Sequence, residues 1–191
     1  MGNVVTGAIA RNVRALRSGH GWSLDALAQR SGVSKGMLVQ VEQGSANPTV
    51  GTLSRIAEAL DVSIARLLDL GEQPAVRVVR AAETVTLWRD DSGSHGDLLL
   101  GMDRREHVEL WSWHLLPGSQ HAAEEQWAGT REMLHVLEGR LRLSVGSETW
   151  DLGPGDAALF SADRPHVYAN TGSVPTRFQM VGVMPPAGRS G

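Results

Sequence analysis

The chain contains no cysteine. That excludes disulfides, thiolate nucleophiles and cysteine metal ligands. No apolar stretch approaches the ~20 residues that span a bilayer. The opening, MGNVVTGAIARNVR, lacks a basic segment ahead of a long apolar run. The expectation is a soluble cytoplasmic protein with no membrane partner. No internal repeat and no low-complexity tract interrupts the sequence. Excess charge of either sign is small as well, with a formal net charge of −3 over 191 residues. The small value hides a split. Residues 1–70 carry seven basic against five acidic side chains, a net of +2, and the remainder carries eleven against sixteen, a net of −5. A mildly basic head on an acidic body fits contact with a polyanion at one end only.

What is present is densest in residues 22–44, WSLDALAQRSGVSKGMLVQVEQG. Leu24, Leu27 and Ala28 share one helical face at i, i+3, i+4 spacing. Ser31-Gly32 ends that helix, since glycine is the usual residue just past a helix terminus. Ser34 suits the N-cap of a second helix, in which Leu38 and Val41 point inward. Lys35, Gly36, Val39, Gln40 and Gln43 are left facing outward. That face is small and hydrogen-bonding, and it suits entry into a DNA major groove better than core packing. Upstream, Ile9, Val13 and Leu16 line one face of a helix over residues 6–20. Downstream, Asn47-Pro48-Thr49 is a helix-start signal. Val50, Leu53, Ile56, Ala57 and Leu60 follow at helical spacing, and Ile64, Leu67 and Leu68 make a last short helix. Five helices over so short a stretch close a small core of their own.

Over residues 8–70 the chain resembles the phage-repressor-like (XRE-type) helix-turn-helix family. The resemblance rests on ALAQRSGVSKGMLVQVEQG followed by NPTVGTLSRIAEALDVSIARLL. It implies binding to double-stranded DNA. Gln40 is then the main base reader, because a side-chain amide pairs bidentately with adenine. Lys35 reaches guanine or a phosphate, Met37 meets a thymine methyl, and Gly36 lets the helix approach closely. Ser23, Ser34, Gln43, Ser45 and Asn47 lie at helix starts or in the loop after the recognition helix, and are phosphate candidates. For each serine the alternative is a helix cap and nothing more, and for Ser34 the two roles are compatible. The family pairs an arginine late in its first helix with a glutamate late in the recognition helix. Those positions are Arg17 and Glu42 here, which implies a structural ion pair between them.

Around Gly71-Glu72-Gln73-Pro74 the periodicity changes. Short apolar runs now alternate with turn residues: VRVV, VTLW, DLLLGM, VELWSWHLL, EMLHVL, LRLSVG, ETWDL, AALFSA, HVYAN and TRFQMVGVM. Regularly spaced short runs signal an all-β sandwich or barrel. Gly139, Gly146 and Gly153-Pro154-Gly155-Asp156 mark turns between them. Residues 77–185 resemble a cupin, a double-sheet jelly roll. Pro117-Gly118 opens the first cupin motif, and Glu132 with Gly139 closes it. Gly155, His166 and Asn170 match the second, although its inner P-x-G reads Ala162-Asp163-Arg164.

The cupin resemblance implies a metal held by two or three imidazoles and a carboxylate. Residue by residue, only Glu132 and His166 carry over, as weak metal candidates. The H-x-H pair falls on Gln126 and Ala128, or on Glu125 and Trp127, and neither register holds histidine. His121 lies upstream and reaches the site only if the chain folds back. The expectation is therefore no metal, no cofactor and no catalytic residue. Glu132 and His166 are read as a hydrogen-bonded polar pair, and Glu132, His166, Gln126, Tyr168 and Trp113 as candidate effector contacts.

The expected fold is α+β and multidomain. It comprises a five-helix helix-turn-helix bundle over 1–70, a linker over 71–76 hinged at Gly71–Ala75, and an all-β cupin (jelly-roll) barrel over 77–191. The expected function is transcription regulation by a homodimer, with one head per half-site and the cupin sensing a small-molecule effector. The alternative is a mononuclear iron enzyme. The same domain order resembles phosphonate enzymes such as the epoxidase that closes an epoxide ring. Those need a His–Glu–His triad, and the histidine four residues before Glu132 is Ala128 here. A silent sugar- or amino-acid-binding cupin conflicts with the intact head.

Overall fold

The computed structural model of the protein describes residues 2–68, 76–103 and 106–186. The expected hinge at Gly71–Ala75 and most of the PPAGRSG tail lie outside the described residues. Five α-helices come first: α1 (Gly2–Gly19), α2 (Leu24–Ser31), α3 (Lys35–Glu42), α4 (Val50–Ala59) and α5 (Ile64–Leu68). Side-chain caps set three of their starts. Ser23 Oγ accepts from the Ala26 N–H, Ser34 Oγ from Met37 and Thr49 Oγ1 from Thr52. Each bond satisfies a donor that a first helical turn leaves without a partner. Gly32 ends α2 at φ 65°, where a side chain is disfavoured. Val13, Leu27, Leu38, Leu53, Ile56 and Leu67 are almost wholly buried and make the helical core. Truncating one of these leucines to alanine costs roughly 2–5 kcal/mol.

A 3-10 turn at Ala81–Glu83 leads into the strands. They are β1 (Val85–Arg89), β2 (His95–Asp103), β3 (His107–Leu115), β4 (Gln120–Ala123), β5 (Arg131–Glu138), β6 (Leu141–Val145), β7 (Glu148–Leu152), β8 (Ala157–Ser161), β9 (His166–Asn170) and β10 (Thr176–Met184). Two antiparallel sheets result, ordered β1-β2-β3-β10-β5-β8 and β4-β9-β6-β7. The facing quartets β3-β10-β5-β8 and β4-β9-β6-β7 have the strand order of a double-sheet jelly roll. Among the described residues no ladder joins the two sheets, so the expected barrel takes the form of a sandwich. Gly139 turns the chain from β5 to β6 at φ 77°, where a Cβ would stand 2.4 Å from the Pro175 carbonyl oxygen. Two expectations fail locally. VRVV forms no strand, and Val76 and Val78 stay exposed, because no neighbouring strand pairs with them. QHAA, which has no alternation, becomes β4 because β9 supplies its ladder.

β3 joins the two halves. HVELWSWHL alternates strictly, and its inward row is His107, Glu109, Trp111, Trp113 and Leu115. At one end of the row Trp113 meets Phe178 and the Tyr168 of the smaller sheet. At the other end the row faces α5. Glu109 accepts the Ile64 N–H at 2.6 Å, and Asp103 accepts the Ser63 N–H at 2.8 Å. Carboxylates there meet both unpaired helical donors and the positive end of the helix dipole. His107 contacts Asp103 at 2.8 Å and Asp61 at 3.2 Å. A Cβ on Gly101 would lie 2.2 Å from Ala65 Cβ, so sheet and helix touch closely. The inner face of the larger sheet is thus covered at one end by the smaller sheet and at the other by α5.

Candidate functional site

Capping by Ser34 and burial of Leu38 and Val41 fix which face α3 turns outward. Lys35, Gly36 and Gln40 are exposed on it, as are Gln43, Ser45 and Asn47 beyond its end. Lys35 Nζ pairs with Asp25 at 2.9 Å, and both side chains are solvated. Such an exposed pair is worth little and releases its lysine easily. Gly36 has open space where a Cβ would stand, so nothing in the molecule itself demands glycine there. Met37 and Val39 are half-buried, and Met37 packs on the helical core. Less of Met37 is offered outward than the sequence suggested. Ser23 and Ser34 are exposed and both cap helices.

Behind this face, Arg17 grips Glu42 with two bonds, Nε–Oε1 at 2.6 Å and Nη2–Oε2 at 3.0 Å. Arg17 Nη1 also donates to the Trp22 carbonyl at 2.6 Å. The fork ties α1 to α3 and to the turn before α2. Its hydrogen bond to Glu42 holds the Arg17 pKa above the ordinary guanidinium value. A planar guanidinium matches a carboxylate in this way and a lysine would not.

A cavity of about 250 Å³ lies between α4 and the open end of the sandwich. Thr49, Ser54, Arg55 and Glu58 line it from the helical side. Glu132, His166, Gln126, Tyr168 and Trp113, with His121, line it from the sandwich. Alternation in β5 and β9 turns Glu132, His166 and Tyr168 inward. Gln126 Nε2 donates to Glu132 Oε1 at 2.7 Å, and the Tyr168 hydroxyl donates to Oε2. Burial raises the Glu132 pKa, and it raises that of Tyr168 too, with the Glu132 charge adding to the effect. Burial, aided by His166, pushes His121 down to about 4. His166 Nδ1 donates to the Arg164 carbonyl at 2.9 Å. Its Nε2 stands 3.5 Å from Glu132 Oε2 and, although fully buried, has no hydrogen-bond partner. Trp113 Nε1 is likewise buried without a partner.

These residues do not fit a cupin metal. Both Glu132 oxygens already accept from protein donors. Among the described residues no three His, Asp or Glu side chains converge as a ligand set, His121 included. Position 128, where a histidine is needed, is an exposed alanine.

The helix-turn-helix family model matches residues 13–67 and the cupin-domain model residues 111–182. The chain carries a helix-turn-helix domain followed by a cupin domain. It is 29% identical over 170 residues to the HTH-type transcriptional regulator SutR of Escherichia coli (strain K12), covering 89% of this chain and 91% of SutR. A crystal structure of an HTH_3 family transcriptional regulator from Vibrio cholerae superposes with a TM-score of 0.75 at 27% identity, over 97% of this chain and 99% of that one. The HTH-type transcriptional regulator SlrR of Bacillus subtilis (strain 168) is 39% identical over 62 residues, 32% of this chain and 41% of SlrR. Among the described residues no helix is long and apolar enough to cross a membrane.

The contact between the helix-turn-helix and cupin domains holds residues that sequence reasoning missed. Burial pushes Glu109 up to about 7, although donors from Ile64 and Trp111 pull the other way. Burial lowers His107, but Asp103 and Asp61 more than offset it, and its pKa is raised. The signal was present: a histidine and a glutamate occupy core positions in the alternation of β3. Glu109 and Trp111 also line the cavity, so one carboxylate touches both the cavity and α5.

Proposed function

We propose that the protein is a sequence-specific DNA-binding transcriptional regulator whose DNA affinity is set by a small molecule in the cupin cavity. The observation that carries the first part is the outward face of α3, with Gln40 and Lys35 exposed on a helix whose start Ser34 caps. Gln40 reads a base, Gly36 permits close approach, and Met37 contributes at its exposed edge. Ser23, Ser34, Gln43, Ser45 and Asn47 take phosphates. Likeness to SutR and to the Vibrio cholerae regulator across nearly the whole chain supports a regulator over an oxygen-activating enzyme. Glu132, His166, Gln126, Tyr168 and Trp113 are the effector contacts. Most of the cavity's helical wall belongs to α4, which follows the recognition helix. A ligand that fits one arrangement of the two domains better than another shifts DNA affinity by that difference.

The working unit is a homodimer, with helix-turn-helix domains over 1–70 and cupin domains over 77–191. Leu100, Leu110, Val181, Met133 and Leu159 lie in register across the outer face of the larger sheet. Met133 and Leu159 are 46% and 63% exposed. An apolar row of this kind is a natural seat for a second copy. Footprinting on the DNA flanking the protein's own coding region tests the reading. Two protected half-sites about 10 bp apart, or a multiple of that, are expected. Protection without half-sites, or none, defeats it.

A further inference from the structure

The cavity's own chemistry selects the charge of what it holds. Glu58, Glu109, Glu124, Glu125 and Glu132 border it, against Arg55 as the one arginine among the described lining residues. Arg55 is itself paired with Glu124 at 3.2 Å. Deep inside, Glu132 receives only the neutral donors of Gln126 and Tyr168. Beside it, the fully buried His166 Nε2 has no donor at all. His166 Nε2 and Glu132 Oε2 stand 3.5 Å apart at the cavity wall. Trp111, Trp113 and Tyr168 add aromatic rings to the wall.

We infer that the cavity takes a small organic cation, a primary ammonium, seated between His166 Nε2 and Glu132. The ammonium supplies a donor to His166 Nε2 and adds positive charge beside Glu132. A carboxylate or phosphonate ligand would instead meet like charge in a low-dielectric pocket. A metal ion meets too few free ligand atoms. This inference rests on the cavity being the effector site.

The test is calorimetric titration of the full-length protein with n-butylammonium, butan-1-ol and butanoate, matched in carbon skeleton, with Zn²⁺ as a separate arm. The ammonium is expected to bind roughly tenfold or more tightly than the alcohol, and butanoate not at all. Glu132→Gln keeps the side-chain shape and should weaken ammonium binding about ten- to hundredfold. Glu125 is exposed, so Glu125→Gln keeps the fold and should weaken binding about two- to threefold. No ammonium binding, equal binding of the alcohol, preferred binding of butanoate, or stoichiometric Zn²⁺ displaced by ammonium would each overturn the inference. Ammonium binding unchanged in Glu132→Gln would do the same. Amine-free DNA binding, measured on the same preparations, reports separately on the regulator reading.

Discussion

The two domains treat a buried carboxylate in opposite ways. In the helix-turn-helix domain Glu42 meets a full guanidinium fork from Arg17. In the cupin domain Glu132 and Glu109 meet only neutral amide, indole and hydroxyl donors. The first arrangement is electrically complete without any ligand and fixes a helix. The second has no arginine or lysine partner, and it lines the cavity that reaches the domain contact. A complete pair reads as architecture, and an incomplete one as a place where binding or titration can act.

Breaking the complete pair should have the largest effect. Glu42→Ala leaves Arg17 partly buried without its partner, and should destabilise the protein by about 3 kcal/mol. Thermal unfolding measures this, and an unchanged midpoint would remove the contrast. The incomplete side should behave differently. Glu132→Gln replaces a buried carboxyl that no arginine or lysine pairs, so stability should stay level or rise by about 1 kcal/mol. The same melts check it, and a loss matching Glu42→Ala would show that both carboxylates are structural.

The contact between domains sharpens the comparison through pH. The Glu109 pKa is raised from 4.5 to about 7 in the folded protein. The folded state therefore holds that proton more tightly, and the resulting stability is fully present below pH 4.5 and lost as pH rises to about 7. The raised His107 acts in the same direction, losing its contribution as pH climbs through its folded value. Together they make the contact firmer in mild acid, by about 3 kcal/mol at most from Glu109. Glu109→Gln should flatten the pH dependence of unfolding between pH 4.5 and about 7, the window Glu109 spans. A wild-type profile already flat there would contradict the assignment. A smaller effect is expected at the outer stripe. Leu159→Lys should weaken self-association about tenfold or more without altering the fold, as read by sedimentation equilibrium. An unchanged dimer constant would move the interface elsewhere.

Much of this was legible in the sequence because the signals were local. Ser23, Ser34 and Thr49 stand where helices start, and Gly32 where one ends. Alternation placed Glu132, His166 and Tyr168 inward, and motif spacing brought Glu132 and His166 to one cavity. The domain contact was not legible. Its bonds link Ser63 and Ile64 to Asp103 and Glu109 across two elements that no local pattern relates. The close approach of Gly101 to Ala65 has no sequence signature beyond a glycine in a strand. VRVV misled because an apolar run becomes a strand only where a partner edge receives it. QHAA was missed for the converse reason.

The most direct test of the central claim is the affinity of full-length protein for the DNA flanking its own coding region, measured by fluorescence anisotropy for wild type and Gln40→Ala. The exposed amide on α3 should contribute one bidentate base contact, so the variant should bind roughly ten- to hundredfold more weakly. Equal affinities, or no discrimination between that DNA and unrelated duplex by the wild type, would contradict the account.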